Sequence, residues 1–331
     1  MNYLKKKIIF KIFILSFFIF FFLFLSFLNF SLNKNIYSKN LSTYTIKQGD
    51  SISKTLSNLK SLELLNSIFR AKVILYLFDI NPTFNNGKYL IDKNETEYTM
   101  ILKFINGKVV QDTVIIYEGS TYKKIIDTLI GSKLVKHSIN ENYYKKIFPS
   151  RIKYLSPEGS CFPDTYKFSS GITIDSFLER CVKNMDNILM KYWKNRDFSL
   201  PYKSPYEMLI MASIIEKETS IDEEKAIISG VFINRINKNM RLQADPTVIY
   251  GIKDFRGNIT KKDLQTVNEY NTYKIDGLPR TPICSPGESS IKAASKPEKN
   301  KYLYFVADDK GKHIFSKNYK DHLKAVNKYQ K

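Results

Sequence analysis

The chain opens on an uninterrupted apolar run: after Lys11, residues 12–32 carry no charge and are rich in Phe, Leu and Ile. At about 1.5 Å per residue, a helix of this length crosses the roughly 30 Å hydrocarbon layer of a bilayer. Beyond it the pattern breaks into short amphipathic pieces. Residues 43–51 read as a strand, a turn at Gly49 and Ser51 as the cap of a helix from Ile52 to about Lys60. The pattern recurs further on, with Ile46 matching Ile116, Gly49 matching Gly119, Ser51 matching Thr121, Lys54 matching Lys124 and Leu59 matching Leu129. Two copies are too few for a solenoid. Between them, residues 87–91 predict a strand and residues 95–105 a helix closed by Asn106-Gly107.

A domain boundary is expected near Pro149 to Pro157, ahead of Glu158-Gly159-Ser160. The second half alternates helices with short strands and long Pro/Gly-rich loops, which predicts an α+β fold rather than a repeated parallel sheet. Its clearest helix starts at Ser204, with Pro205 in the first position and Glu207 placed to complete a capping box. Met208, Ala212 and Ile215 fall at helical spacing and predict one buried face. Glu216 and Glu218, at the end of this helix, flank that face on opposite sides at about 80° each. A carboxyl held at the end of an apolar helix can keep its proton near neutral pH, as cleavage of a glycosidic bond requires. Periodicity does not choose between the two, and most helix-end glutamates are simply solvated. Downstream, Asp245 is placed to cap a helix beginning at Pro246, after an extended run over residues 240–243.

Composition adds compartment and excludes classes. The lysines at positions 5–7 precede the apolar run, which orients the N-terminus to the cytoplasm and everything after about Asn33 to the far side. The length of the run and the lack of a small-residue cleavage pattern favour a retained anchor over a cleaved signal. The formal net charge is +20, yet arginine occurs only at positions 70, 151, 180, 196, 235, 241, 256 and 280. With no basic run interleaved with a binding motif, no nucleic-acid partner is expected. Cys161, Cys181 and Cys284 predict no disulfide framework, and His137, His313 and His322 are scattered, so no metal and no cofactor is expected.

The motifs then carry a resemblance. Residues 211–219 (MASIIEKET), 231–235 (VFINR), 240–243 (MRLQ), 245–251 (DPTVIYG), 270–273 (YNTY), 277–279 (GLP) and 302–306 (YLYFV) resemble, in order and spacing, the MltG (YceG-like) family of endolytic murein transglycosylases. The segment around Gly49-Asp50-Ser51 resembles a LysM glycan-binding turn. The layout expected is a cytoplasmic tail at 1–11, a transmembrane anchor at 12–32, a LysM-like β/α module at 33–150 and an α+β catalytic domain at 151–331. Departures are small: Cys284 stands before Ser285-Pro286-Gly287, and Lys312-His313-Ile314-Phe315 replaces a more Gly-rich run.

The resemblance implies that Glu218 is the catalytic acid/base and that Gln243, Asp245, Thr247, Asn271, Thr272 and Tyr273 lie in or beside the glycan cleft. It implies cleavage of the MurNAc-GlcNAc bond of peptidoglycan to 1,6-anhydro ends, terminating nascent glycan strands, with peptidoglycan synthases as candidate partners. The expected location is the cell inner membrane with a periplasmic catalytic domain. A hydrolase of the usual kind needs two carboxylates, whereas one suffices when the substrate's own 6-hydroxyl closes onto C1. The competing readings are a non-catalytic peptidoglycan-binding scaffold and a water-admitting muramidase.

Overall fold

The computed structural model describes residues 2–33, 36, 42–77, 83–92, 95–132, 135–136, 152–169 and 172–330. It forms two compact units. The first runs from the N-terminus to Asp112 and also takes residues 168–170. It begins with helix α1 (Asn2–Asn33), in which a 21-residue stretch from Lys7 to Phe27 is long and apolar enough to cross a membrane. Ile9, Phe13, Phe17 and Phe20 on this helix are exposed, as a bilayer-facing surface would be.

The first unit continues through β1 (Thr43–Ile46), α2 (Ile52–Ser61), α3 (Ile68–Leu77), β2 (Gly87–Leu90) and α4 (Glu97–Ile105). Strands β1 and β2 pair antiparallel, Thr43 opposite Leu90 and Ile46 opposite Gly87. Gly49 turns the chain with φ +84°, and Ser51 then caps α2 by accepting from the Lys54 amide. The buried core gathers Tyr44, Ile46, Leu56, Leu59, Tyr89, Met100 and Phe104. Tyr89 packs edge-on against Phe104 with centroids 4.7 Å apart. Leu56 and Leu59 reach this core because they share one face of α2.

Strand β3 (Gln111–Ile115) spans the division at Asp112–Thr113, and the second unit holds the rest. Its elements are α5 (Tyr122–Gly131), β4 (Val135–Lys136), β5 (Thr165–Ser169, whose last two residues fall in the first unit), β6 (Ile172–Thr173), α6 (Ile174–Lys194), α7 (Pro205–Glu218), α8 (Asp222–Asn237), α9 (Asp245–Gly251), α10 (Lys261–Gln265), α11 (Glu288–Ser295), β7 (Tyr304–Ala307), β8 (His313–Ser316) and α12 (Tyr319–Tyr329). The fold is mixed α+β, mostly helical, with small two-stranded sheets: β7 and β8 pair antiparallel, and β4 pairs with β6 parallel. Of the expected 149–157 boundary, residues 149–151 lie outside the described residues, as does His137, whereas the two units divide at Asp112–Thr113. The second copy of the repeat therefore belongs to the second unit. Gly119, at φ +72°, donates to Ser285 O at 2.9 Å, and Ser120 and Ser285 bridge antiparallel.

Helix α7 is the centre of this unit, packed against α6, α8, α9 and α11. The one buried face expected of it is a full circumference: every residue from Met208 to Ile215 is buried. Neighbours on several sides enclose it, so amphipathic spacing is not required. The capping box is half made. Ser204 accepts from the Glu207 amide at 3.3 Å, but the Glu207 carboxylate turns to the Lys203 amide at 2.6 Å. The one polar side chain in the buried run, Ser213, is satisfied by donating to Ile210 O and accepting from the Ile283 amide.

The cysteines correct an expectation. Cys161 and Cys181 form a disulfide, 20 residues apart in sequence, and Cys284 alone is free and buried. Wide spacing hid the pair because β5 and the first turns of α6 fold back on the segment before them, and Phe162 N donates to Cys181 O at 3.1 Å.

Candidate active site

Helix α7 ends where Thr219 donates its amide to Ile215 O, and the two carboxylates on its last turn enter different surroundings. Glu216 is nearly buried and well partnered. Its Oε2 accepts from the Gly287 amide at 3.0 Å and from Ser290 Oγ at 2.6 Å, and it faces Lys225 Nζ at 3.7 Å. It ties α7 to the N-terminal end of α11, where negative charge is favoured.

Glu218 accepts no hydrogen bond among the described residues. It lines a cleft of about 440 Å³ with Arg235, Gln243, Asp245, Tyr273, Tyr304 and His313. Its side chain is half-buried there, part of it open to the cleft and the rest crowded by protein. Desolvation, then the charge of Asp245, push its carboxyl up to about 8 against a weaker opposing pull from Arg235. A carboxyl in this state is mostly protonated at neutral pH and stands ready to give the proton away.

Arg235, on α8, is the structural hub of the cleft. Its Nε donates to Leu303 O at 2.6 Å and its Nη1 to Leu242 O at 2.7 Å, fixing the residue that leads into β7 and the 240–243 loop to one helix. That loop is not extended throughout, because Gln243 adopts φ +49°, in the left-handed region. Its amide donates to Thr272 O and its Oε1 receives Arg235 Nη1 at 3.4 Å, which holds the strained turn in place. Asp245 does not cap α9. It is the first residue of that helix, Ala244 stands at the cap, and the carboxylate instead accepts from Tyr273 Oη at 2.6 Å.

The residues singled out from sequence thus divide. Gln243, Asp245 and Tyr273 line the cleft with Glu218. Thr247, Asn271 and Thr272 are fully buried behind its wall. Asn271 Nδ2 donates to the carbonyls of Asp263, Leu264 and Thr266, and Thr247 and Thr272 share a 2.8 Å hydroxyl contact beneath Ala244. These three shape the backbone that presents Gln243, Asp245 and Tyr273, and they offer no exposed atom to a ligand. Tyr304, His313, Tyr319 and His322 complete the far side of the cleft from elements distant in sequence. Tyr304 stacks on His322 at 5.2 Å and receives the Arg235 guanidinium over its ring at 5.2 Å. The Tyr302-Leu303-Tyr304 run was the available signal for Tyr304. The histidines read as scattered because only the fold brings two of them together.

Two other features compete for attention and lack the chemistry. Burial raises the carboxyl of Glu158 to about 7, but it accepts from the Tyr122 amide and Tyr250 Oη and does not line the cleft. A larger groove of about 680 Å³ lies around the start of α7, and its one acidic residue, Glu207, is engaged by the Lys203 amide.

Comparisons with known proteins bear on most of the chain. The model of the YceG-like family matches residues 44–328. A Bacillus subtilis endolytic murein transglycosylase is 31% identical over 313 residues, covering 88% of this chain and 86% of that protein. A Streptococcus pneumoniae endolytic murein transglycosylase is 33% identical over 178 residues, which is 51% of this chain and 31% of the relative. The crystal structure of a yceG-like protein from Listeria monocytogenes superposes with a TM-score of 0.52 at 30% identity, covering 85% of this chain and 98% of that one.

Proposed function

Because the chain belongs to the YceG-like family, we propose that it is a membrane-anchored endolytic transglycosylase acting on peptidoglycan, with Glu218 as its acid and base. The observation that carries this reading is the contrast at the end of α7. Glu216 is held by two donors beside a lysine, whereas Glu218 lines the cleft and accepts no hydrogen bond among the described residues. Glu218 protonates the oxygen leaving C1 of N-acetylmuramic acid as the C1–O bond breaks. As carboxylate, it then takes the proton from the muramoyl 6-hydroxyl while O6 bonds to C1. The product is a 1,6-anhydro end, and no water is consumed.

Gln243 and Tyr273 present an amide and a hydroxyl to the sugar, and the Tyr304–His322 stack offers a ring face on the other side. Helix α1 holds the enzyme in the membrane, and the lysines in its first turns, ahead of the apolar stretch, keep the N-terminus in the cytoplasm. The Cys161–Cys181 bond suits the oxidising side of that membrane, where the cell wall lies. An endolytic cut close to the membrane ends the growth of a nascent strand.

One observation favours a second reading. Asp245 brings another carboxylate into the cleft, and a pair of carboxylates is what a hydrolytic muramidase uses. Digestion of purified sacculi separates the two by mass. Fragments lighter by one water, lost on Glu218→Gln, support transglycosylation. Reducing ends support the muramidase, and sacculus binding without any cleavage supports a scaffold.

A further inference from the structure

The cleft contains a second polar device that the single-carboxylate mechanism does not use. His313 begins β8, and its ring faces the same cleft as Glu218. Glu224 of α8 grips it twice: Oε1 accepts the His313 amide at 2.9 Å and Oε2 lies 2.6 Å from Nδ1. Phe305 closes the ring in edge-on at 5.4 Å. Burial opposes charge on Glu224, but the hydrogen bonds from His313 outweigh it and hold the carboxyl below its ordinary value. When the ring is neutral, an ionised carboxylate at this distance places its one proton on Nδ1 and leaves Nε2 as an acceptor. Among the described residues, no hydrogen bond engages Nε2.

The same carboxylate reaches back to the catalytic helix. Thr219, the residue after Glu218, donates Oγ1 to Glu224 Oε2 at 3.4 Å and accepts the Ile221 amide at 3.0 Å. Glu224 therefore links the end of α7 to the start of β8, the two walls that carry Glu218 and His313.

We propose that His313 is a substrate-contacting residue that accepts, through Nε2, a hydrogen bond from a hydroxyl or amide N–H of the glycan, and that Glu224 is the positioning residue that fixes its tautomer and its separation from Glu218. This rests on the cleft being the glycan site. Sugar rings and their acetamido groups are rich in such donors, while Arg235 supplies none that is an acceptor. A fixed acceptor opposite the proton donor selects which ring orientation brings the glycosidic oxygen to Glu218.

The test uses the full chain in detergent on purified glycan strands, with His313→Gln, His313→Asn and His313→Ala compared for kcat and KM. Gln carries a carbonyl oxygen to about the position of Nε2 but does not reproduce the Glu224 bond. Asn reproduces the Nδ1 side only. The expected result is a roughly 10- to 100-fold fall in kcat/KM for Ala and Asn, with substantial recovery in Gln, and unchanged anhydro product ends. Glycan affinity in a Glu218→Gln background should fall in the same order, and Glu224→Gln should weaken it too. Recovery by Asn and not by Gln assigns His313 a merely structural role and overturns the proposal. Wild-type kcat/KM in all three variants overturns it as well, leaving the transglycosylase reading intact. A wild-type chain that neither cuts nor binds glycan overturns both.

Discussion

Replacing Glu218 by Gln removes a carboxyl that stands at about 8, against an ordinary 4.5, because of desolvation first and Asp245 second. The folded chain holds this proton more tightly than the unfolded chain. Its contribution to stability is therefore complete below pH 4.5 and is lost as pH rises toward about 8. At about 1.4 kcal/mol per pH unit, the loss reaches about 3 kcal/mol at pH 7 and about 5 kcal/mol above pH 8. Gln does not titrate and escapes it. Glu158 is perturbed in the same direction, but it is present in both proteins and cancels in the difference. Unfolding of wild type and Glu218→Gln, followed between about pH 5 and pH 8, should show the variant gaining steadily in relative stability. Its turnover should meanwhile fall by at least about 100- to 10,000-fold, and the wild-type rate should drop as pH passes about 8. A stability difference that does not vary with pH would refute the desolvated acid. So would an alkaline limb in the ordinary carboxylate range.

Glu216→Gln should behave in the opposite way, losing about 1–3 kcal/mol with its bonds to Gly287 and Ser290 while retaining turnover; a stable but inactive protein would reverse the roles of the two glutamates. Asp245→Asn removes the charge that helps raise the Glu218 carboxyl, so the alkaline limb of the rate profile should move to lower pH with anhydro products still formed. Complete loss of cleavage would make Asp245 a catalytic base and favour hydrolysis. Converting Cys161 and Cys181 together to Ser should destabilise the second unit by about 3 kcal/mol, read as a lower Tm that reductant reproduces in the wild type. An unchanged Tm would show that the bond constrains little of the unfolded chain.

Much of the local architecture was legible because its causes are local. Ser51 and Thr121 each cap a helix three residues from the amide they bind, and the glycines before them turn with positive φ in both copies. The start of α7 follows from Ser204 and Pro205, and the membrane-length helix follows from composition alone. Helix α6 carries the same kind of signal, with Thr173 as cap and Phe177, Cys181, Met185 and Leu189 on one face, so it too lay within reach of the sequence.

What the sequence determined by itself was the long apolar N-terminal helix, the capped helices with local signals, and the pair of glutamates at the end of one of them. The tertiary structure decided what surrounds each glutamate. Glu216 and Glu218 stand two residues apart on a single turn, and α11 supplies donors to the first while Asp245 and an unpartnered cleft face the second. It also decided that Asn271 and Thr272 lie within the wall, that Cys161 meets Cys181, and that His313 and His322 share one cleft. Capping and periodicity act within a turn or two of helix, whereas desolvation depends on which distant segments pack nearby. A carboxyl's affinity for its proton is therefore a property of the assembled fold.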